Sequence, residues 1–236
     1  MTDHAGEVMV ITGTRKGIGK YLVDYYIAQG FTVIGCSRSP MDEEIEGYEH
    51  HCVDVADEKA VQRMVRAIKK KHGKIDVLIN NAGIASMNHV LLTPLKTVTD
   101  IFSTNVFGTF LFCREVAKVM SAKKYGRIVN FATVATALDL EGEAAYAASK
   151  AAVESFTRVM SRELAGYNIT VNAVGPTPVL TDLIKGVSDN KMDDLIATQA
   201  IKRMGVYEDI SNVTDFYIQK ESEFITGQVL YLGGIT

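Results

Sequence analysis

Tyr146 and Lys150 are two residues of this sequence whose types and spacing could carry out chemistry. They lie four positions apart in a segment, 144–164, with helical length and periodicity, so their side chains share one helix face. An ammonium group beside a phenol favours the phenolate and brings proton exchange with a substrate oxygen within reach. The spacing therefore predicts a general acid or base, although the same pair is also common on exposed helix faces.

A glycine-rich turn, Thr12-Gly13-Thr14-Arg15-Lys16-Gly17-Ile18-Gly19, joins an apolar run to a helical segment. Backbone N–H groups and the helix dipole at such a turn favour a bound pyrophosphate. Gly13 suits a tight turn, Gly17 a close approach of phosphates, and Gly19 the packing of the helix on the strand. The spacing is G-x-x-x-G-x-G, so by themselves these glycines predict either a dinucleotide site or a structural turn.

The end of the second apolar run indicates which dinucleotide such a turn would receive. An acidic residue there would bind the ribose 2′-hydroxyl of NAD, but the sequence has Cys36-Ser37-Arg38. Arg38, Ser37 and a second cation from Lys16 or Arg15 suit the 2′-phosphate of NADP(H). The alternative is that these cations are solvated surface residues.

The elements that must position these residues alternate along the whole chain. Apolar runs that predict strands lie at 8–11, 31–36, 51–53, 77–79, 127–131, 170–174 and 229–232. Helical patterns lie at 19–28, 59–71, 95–118 and 144–164. Because crossovers between such strands are right-handed, the pattern predicts an α/β fold with a doubly wound parallel sheet of Rossmann type, in a single domain, 1–236.

A polar segment, about 182–204, follows Pro176-Thr177-Pro178 and interrupts this alternation. It predicts a small substrate loop or lid, and a solvated excursion without function is the alternative. No linker or internal repeat divides the chain.

Composition excludes several other functions. With 236 residues, 47% hydrophobic residues and a net charge of −3, the chain has no basic field for nucleic acid or an anionic membrane. We expect no membrane-spanning segment and a cytoplasmic location, because three cysteines without paired spacing indicate a reducing compartment. The histidines are scattered or adjacent, so we also expect no bound metal.

Several further motifs occur in order with the glycine turn: Asn80-Asn81-Ala82-Gly83, Asn105, Tyr146-Ala147-Ala148-Ser149-Lys150 and Val171-Asn172-Ala173-Val174-Gly175-Pro176. Together they make the chain resemble the short-chain dehydrogenase/reductase family over essentially its whole length. The motif sequences are similar to those of the 3-oxoacyl-acyl-carrier-protein reductase type. The resemblance implies an NADP(H)-dependent interconversion of a ketone, or acyl thioester ketone, and a secondary alcohol. It also implies a homo-oligomer, tetramer or dimer, although the faces concerned could equally be core.

The resemblance also implies roles for single residues. Tyr146 would donate a proton to the substrate carbonyl and Lys150 would hold the nicotinamide ribose. Thr133 stands thirteen residues before the tyrosine, where the family has serine, and its hydroxyl could polarise the carbonyl. Thr136 is a less suitable substitute. Asn105 would kink its helix and hold a water that relays protons to Lys150.

Cofactor contacts are implied in the same way. Asp54 and Val55 would hold the adenine, and Asn81, Ala82 and Gly83 the adenine ribose. The glycine turn, with Ile18 and its three glycines, would receive the pyrophosphate. Pro176, Val179 and Thr181 would meet the carboxamide and pyrophosphate, whereas Thr177 departs from the family glycine that lets the backbone approach the nicotinamide.

Two alternatives to a ketone reductase stay open. The same residues run the reverse reaction, so an NADP-dependent alcohol or sugar dehydrogenase is one. A catalytically weak NADPH-binding sensor or scaffold is the other, because Thr133 and Thr177 replace the usual serine and glycine. The sequence does not identify the natural substrate.

Overall fold

A computed structural model describes residues 4–41, 44–180 and 189–235 of the chain. Seven parallel strands form one sheet: β1 (Val8–Thr12), β2 (Thr32–Ser37), β3 (Tyr48–Cys52), β4 (Val77–Asn80), β5 (Gly126–Phe131), β6 (Ile169–Gly175) and β7 (Val229–Tyr231). Their order across the sheet is β3-β2-β1-β4-β5-β6-β7. This is the doubly wound Rossmann topology in one domain that the strand and helix pattern predicts.

Helices of the described residues cover both faces of this sheet. They are α1 (Gly17–Ala28), α2 (Glu58–His72), α3 (Leu95–Phe102), α4 (Thr109–Lys123), α5 (Ala135–Leu138), α6 (Ala144–Leu164), α7 (Asp189–Thr198) and α8 (Tyr207–Ile218). None of the helices in the described ranges is long and apolar enough to cross a membrane.

The strand β1 shows why the sheet is buried on both sides. All five of its residues are buried, and alternate side chains enter two different core layers. Val8 and Val10 pack with residues of α2 and α4, whereas Met9 and Ile11 pack with residues of α1 and α8. A short apolar run without polar alternation is therefore what this position requires.

The carboxyl ends of β1 and β4 form the crevice at which strand order reverses. Asn81 follows β4, and its Nδ2 donates to the carbonyl oxygens of Thr12 at 3.0 Å and Gly13 at 3.1 Å. The N–H of Ala82 donates to the Thr12 Oγ1 at 3.0 Å. These bonds hold the glycine turn against the end of β4, where ligands bind in open α/β sheets.

The structure corrects three predicted elements. The third strand is Tyr48–Cys52 rather than 51–53, because its pairing with β2 begins at Tyr48. The predicted single helix at 95–118 is broken by a π-helical turn, Ser103–Gly108, between α3 and α4. Helix α8 was not predicted, although Ile210, Thr214, Tyr217 and Ile218 face the core at helical spacing.

Part of the proposed substrate loop, 182–188, lies outside the described residues. Its remainder contains α7, Asp189–Thr198. After α7 the chain comes back alongside the residues that precede this segment, because Val179 pairs with Gly205 in an isolated bridge.

We expect Gly19→Ala to destabilise the protein by about 2 kcal/mol, the usual range for overpacking. A Cβ at this position would collide with the Gly13 carbonyl oxygen and lie 2.6 Å from the Asn81 Nδ2. Urea unfolding measures the loss. Gly166→Ala is the matched control, because nothing lies within 4 Å of its Cβ position, and we expect a change below about 0.5 kcal/mol. Equal effects in the two variants would contradict this packing argument.

Candidate active site

Tyr146 and Lys150 lie in the first two turns of α6, beside the carboxyl end of β5. Both are buried, with exposed fractions of 9% and 5%. The Lys150 Nζ donates to the carbonyl oxygen of Phe131, the last residue of β5, at 2.8 Å. It lies 5.9 Å from the centroid of the Tyr146 ring. The structure thus brings the predicted pair together at the edge of the sheet where β1 and β4 form the crevice.

Burial governs the protonation of this pair. It raises the pKa of Tyr146 to about 12, against the lowering effect of a hydrogen bond with Thr133, and the carboxylate of Glu143 raises it further. Burial also lowers the pKa of Lys150 to about 8. The spacing suggested that Lys150 favours a phenolate, but the pKa of Tyr146 is set mainly by burial, and the phenol keeps its proton at neutral pH.

Thr133 provides a hydroxyl at the position where the family has serine. It is buried, lies close enough to the Tyr146 hydroxyl to lower the pKa of that phenol, and its Oγ1 accepts from the N–H of Ala135 at 3.3 Å. Thr136 is committed elsewhere: its Oγ1 lies 2.7 Å from the Thr133 carbonyl and 2.6 Å from the Glu154 Oε1. Between these two threonines, the structure supports Thr133 as the one that faces the phenol.

Glu154 and Tyr231 were not predicted as part of the site. The hydroxyl of Tyr231 donates to the Glu154 Oε1 at 2.7 Å, and the same oxygen accepts a hydrogen bond from the Thr136 hydroxyl. Glu154 is 7% exposed and follows Lys150 by one helical turn. The spacing of four residues was a usable signal for Glu154, but Tyr231 comes from β7 and carries no local signal. Together they brace the turn that bears Thr133.

Asn105 is fully buried in the π-helical turn. Its Nδ2 donates to the Ile84 carbonyl at 2.9 Å and to the Ser149 Oγ at 3.0 Å, and its Oδ1 accepts from the Ile84 N–H at 2.9 Å. The predicted break of the helix is therefore present, as a π-turn, a feature frequent at functional sites. The bonds tie the segment after Gly83 to α6.

Two glycines stand where the segments that line the crevice approach one another closely. A Cβ on Gly83 would lie 3.3 Å from the Asn105 Oδ1 and 3.4 Å from the Lys150 Nζ. A Cβ on Gly13, which has a φ of 74°, would lie 2.8 Å from the Ala82 Cα. Side chains at these positions would fill the crevice or force the strand ends apart.

The glycine turn fits a pyrophosphate. Gly17 has a φ of 59° and begins α1, and the preceding Lys16 makes no side-chain cap. The first backbone N–H groups of α1 can therefore meet an anion. Arg15 and Lys16 are exposed beside this turn, and Ile18 is partly buried. These residues, with Gly83 above Lys150, could hold a nicotinamide dinucleotide along the crevice.

The residues predicted to bind the adenosine part of the cofactor differ in exposure and in hydrogen bonding. Arg38 is exposed, but the Ser37 hydroxyl donates to the Ser39 carbonyl at 2.6 Å and lies 3.1 Å from the His50 Nε2. The exposed Asp54 accepts from the N–H of Ala56 at 3.0 Å, and Val55 is buried. Both strand ends, β2 and β3, reach this corner.

Thr177 replaces the family glycine, and the structure shows where its side chain goes. It is 5% exposed and packs against Gly205 and Gly233, at which a Cβ would lie 3.0 Å and 2.8 Å from Thr177 atoms. Two glycines on other segments thus make the space that Thr177 takes. Pro176 and Val179 lie on either side of it, with Val179 buried. Thr181 lies outside the described residues.

Histidine contacts differ from those of a metal site. His50 contacts Tyr48 and Ser37, whereas the Nε2 of His51 lies 3.0 Å from the Glu49 carboxylate on the other strand face. Within the described ranges, no group of three histidine, cysteine or acidic side chains is placed to hold a metal ion.

The sheet topology and this site define a dinucleotide-binding oxidoreductase, and comparison with known proteins agrees. The profile of the short chain dehydrogenase family matches residues 7–192. The chain belongs to the short-chain dehydrogenase/reductase family, whose members bind a nicotinamide cofactor.

Relatives specify this further. The chain is 30% identical to 3-oxoacyl-acyl-carrier-protein reductase FabG of Escherichia coli and 32% identical to that of Vibrio cholerae. Each match covers 97% of this chain and 96% of the relative. The resemblance to this type of reductase that the motifs indicated is confirmed.

Solved structures of the family superpose closely. The ligand-free aldohexose dehydrogenase of Thermoplasma acidophilum gives a TM-score of 0.88 at 27% identity, covering 98% of this chain and 94% of that one. An NAD⁺-bound xylitol dehydrogenase gives 0.88 at 27% identity, covering 99% and 100%. The fold is therefore shared by reductases and sugar or polyol dehydrogenases.

We expect Lys150→Met to stabilise the protein at pH 7 while removing its ammonium. The folded pKa of about 8 lies below the unfolded value of 10.5, so the buried charge costs about 3 kcal/mol at pH 7. Loss of the hydrogen bond to Phe131 reduces the gain in stability of the variant by about 1 kcal/mol. Between pH 8 and 10.5 the unfolded chain keeps a proton that the folded chain releases, so wild-type stability rises relative to the variant.

Urea unfolding at pH 7 and pH 10 measures both effects. The gain of about 2 kcal/mol at pH 7 should shrink at pH 10. Lys96→Met is the control, because the Lys96 side chain is 83% exposed and its variant should change stability by less than about 0.5 kcal/mol at either pH. A stability difference between Lys150→Met and wild type that does not depend on pH would show that Lys150 is not buried as an ammonium.

Proposed function

We propose that this protein is an NADPH-dependent reductase that converts a ketone to a secondary alcohol, with Tyr146 as the proton donor. The observation that carries the proposal is the state of Tyr146. Its phenol is buried beside the buried Lys150, and burial raises its pKa to about 12, so it keeps its proton at neutral pH, with Thr133 close enough to lower that pKa in part. Such a group is a general acid that water does not reach freely.

The residues divide the reaction between them. The bound nicotinamide supplies the hydride. Thr133 and Tyr146 both offer hydroxyl donors to one carbonyl oxygen, which draws charge away from the carbonyl carbon as Tyr146 transfers its proton. Lys150, held by Phe131, binds ribose hydroxyls and stabilises the phenolate that remains. Asn105 keeps α6 in register with Gly83 so that these distances persist.

The cofactor would lie along the crevice between the ends of β1 and β4. Gly13, Arg15, Lys16, Gly17, Ile18 and Gly19 would receive the pyrophosphate. Asn81, Ala82 and Gly83 would line the adenine ribose, with Asp54 and Val55 at the adenine and Pro176, Val179 and Thr181 near the carboxamide. The start of α1, which has no side-chain cap from Lys16, and the absence of a side chain at Gly83 beside Asn105 and Lys150 support this placement.

We favour NADP(H) over NAD(H) because Arg38 follows β2 and is exposed, where an acidic residue would select the free ribose diol. The Ser37 hydroxyl would have to leave the Ser39 carbonyl to contact a phosphate directly. Arg38 therefore carries the preference, and Arg15 or Lys16 would add a second cation from the glycine turn.

The substrate class rests on the relatives. A 3-oxoacyl thioester is the first candidate, because the curated relatives are 3-oxoacyl-acyl-carrier-protein reductases. Oxidation of a sugar or polyol is the second, because similar structures are named aldohexose and xylitol dehydrogenases. The segment 182–204, which includes α7, would close over either substrate.

Association into a dimer or tetramer is part of the proposal. Large apolar side chains are exposed on the π-turn, α4, α6 and the segment after α8: Phe107, Phe110, Val159 and Phe224. Solvated apolar surface of this kind marks an interaction site. The proposed location is the cytoplasm, because Cys36, Cys52 and Cys113 are free thiols, of which Cys52 is exposed.

We expect Tyr146→Phe to lower the rate of NADPH oxidation with a 3-oxoacyl thioester by about 10²- to 10⁴-fold, because the proton donor is lost. Loss of NADPH absorbance measures the rate, and fluorescence titration should show NADPH binding within about twofold of wild type. Tyr167→Phe, on an exposed tyrosine, is the control and should leave the rate unchanged. Full activity of Tyr146→Phe would refute the assignment. Binding without turnover of any ketone or polyol by wild type would favour the sensor alternative.

We expect Arg38→Ala to weaken NADPH binding about 10- to 100-fold, the range for a charged hydrogen bond to phosphate, with NADH binding changed less than about twofold. Fluorescence titration with each cofactor measures this. Arg66→Ala, on the exposed part of α2, is the control for general charge effects. A wild-type protein that prefers NADH would remove the role given to Arg38.

A further inference from the structure

A chain of hydrogen bonds runs over the sheet from the glycine turn to the turn that bears Arg38. The buried Thr14 Oγ1 lies 2.5 Å from the hydroxyl of Tyr48, which lies 2.8 Å from the His50 Nδ1. The His50 Nε2 lies 3.1 Å from the Ser37 Oγ and 3.1 Å from the Ser39 carbonyl. No catalytic or cofactor-contact role explains Tyr48 or His50.

The Ser39 carbonyl at one end of this chain determines which way the protons point. The Ser39 carbonyl can only accept, so the His50 Nε2 carries a proton and its Nδ1 accepts from Tyr48. The Ser37 hydroxyl donates to the same carbonyl at 2.6 Å and can accept from His50. Because Tyr48 gives its proton to His50, the proton between Tyr48 and Thr14 at 2.5 Å is the one on Thr14, which then serves Tyr48 rather than the Cys36 carbonyl at 3.3 Å. Bonds aligned in this way reinforce one another.

The neutral form of His50 matches this arrangement. Burial lowers the pKa of His50, against a raising effect from the Ser39 carbonyl. At neutral pH the ring therefore offers one donor and one acceptor, which is what Ser39 and Tyr48 require.

The sheet is built to let these side chains meet. β3 is the edge strand, and His50 lies opposite Gly35 of β2. A Cβ on Gly35 would collide with the Tyr48 hydroxyl and lie 2.8 Å from the Thr14 Oγ1. The absence of a side chain at Gly35 allows Tyr48 to reach across β2 to the glycine turn.

The end of β2 and the glycine turn are also joined through the backbone. The Cys36 carbonyl accepts from the N–H of Gly13 at 2.9 Å and from the N–H of Thr14 at 3.2 Å. The Thr14 hydroxyl lies 3.3 Å from the same oxygen. Movement of the Arg38 turn therefore disturbs the glycine turn, and the reverse holds as well.

We propose that His50 is a positioning residue for cofactor choice: through Ser37 and Ser39 it holds the turn that presents Arg38 to the 2′-phosphate. Through Tyr48 and Thr14, the same histidine sets this turn relative to the one that receives the pyrophosphate. The inference rests on the proposed NADP(H) preference. The ligand group it concerns is the phosphate on the adenosine ribose.

The test compares NADPH with NADH by fluorescence titration, and 2′,5′-ADP with 5′-AMP by calorimetry, so that no turnover is needed. We expect His50→Leu to weaken NADPH and 2′,5′-ADP binding about tenfold, with NADH and 5′-AMP changed less than about twofold. Tyr48→Phe should lower the preference for NADPH, taken as the ratio of the NADH to the NADPH dissociation constant, about threefold. His51→Leu, the neighbouring histidine on the opposite strand face, is the matched control and should leave the ratio unchanged.

A conservative variant separates positioning from general damage. A glutamine amide can reach the place of the His50 Nε2 and donate to Ser39, whereas the shorter asparagine cannot. We therefore expect His50→Gln to recover most of the ratio and His50→Asn to behave like leucine. If His50→Leu does not fold, Tyr48→Phe and His50→Gln decide the question.

An unchanged ratio in His50→Leu, or in Tyr48→Phe where leucine does not fold, overturns the inference while the NADP(H) preference of wild type stands. An equal loss of NADPH and NADH binding also overturns it, because it indicates damage to the glycine turn alone. If wild type binds NADPH no more tightly than NADH, the proposed preference for NADP(H) is wrong, and this result is known before any variant is measured.

Discussion

The close approach of the ends of β1 and β4 is the constraint on which the rest of this site depends. Asn81 bonds to the carbonyls of Thr12 and Gly13, and Gly13 has no room for a side chain against Ala82. The contact aims the start of α1 at the crevice and also places the segment that continues to Ile84. Ile84 is held by Asn105, and Asn105 by Ser149 of α6. One packing contact therefore positions both the glycine turn and α6.

The proposed catalytic pair, Tyr146 and Lys150, is buried although burial disfavours the charged form of each. Burial raises the pKa of Tyr146 and lowers that of Lys150, so the fold has to bear the cost of an ammonium in a site largely closed to water. Such cost is common where function requires a charge that stability does not. The hydrogen bond that the Lys150 Nζ donates to the Phe131 carbonyl offsets part of this cost.

Two polar networks frame the crevice at its two ends. Around Asn105, fully buried amide and hydroxyl groups fix a backbone segment to α6 without exposed charge. Around His50, partly buried groups fix the turn of Arg38 to the glycine turn. Both networks connect segments far apart in the chain, so each can hold a distance that a local turn could not. In a family that accepts many substrates, such distances determine which ligand the shared fold receives.

What the sequence alone determined is local. Strand and helix alternation predicted the Rossmann-type sheet, and the glycine turn, Asn80–Gly83 and Tyr146–Lys150 marked the candidate site, because backbone conformation and helix-face sharing depend on near neighbours. The tertiary structure decided the rest. Burial raises the pKa of Tyr146, His50 lies against Ser37, and Thr177 takes the space that Gly205 and Gly233 leave. Desolvation and contacts between distant segments exist only once the chain is folded, so spacing in the sequence could not predict them.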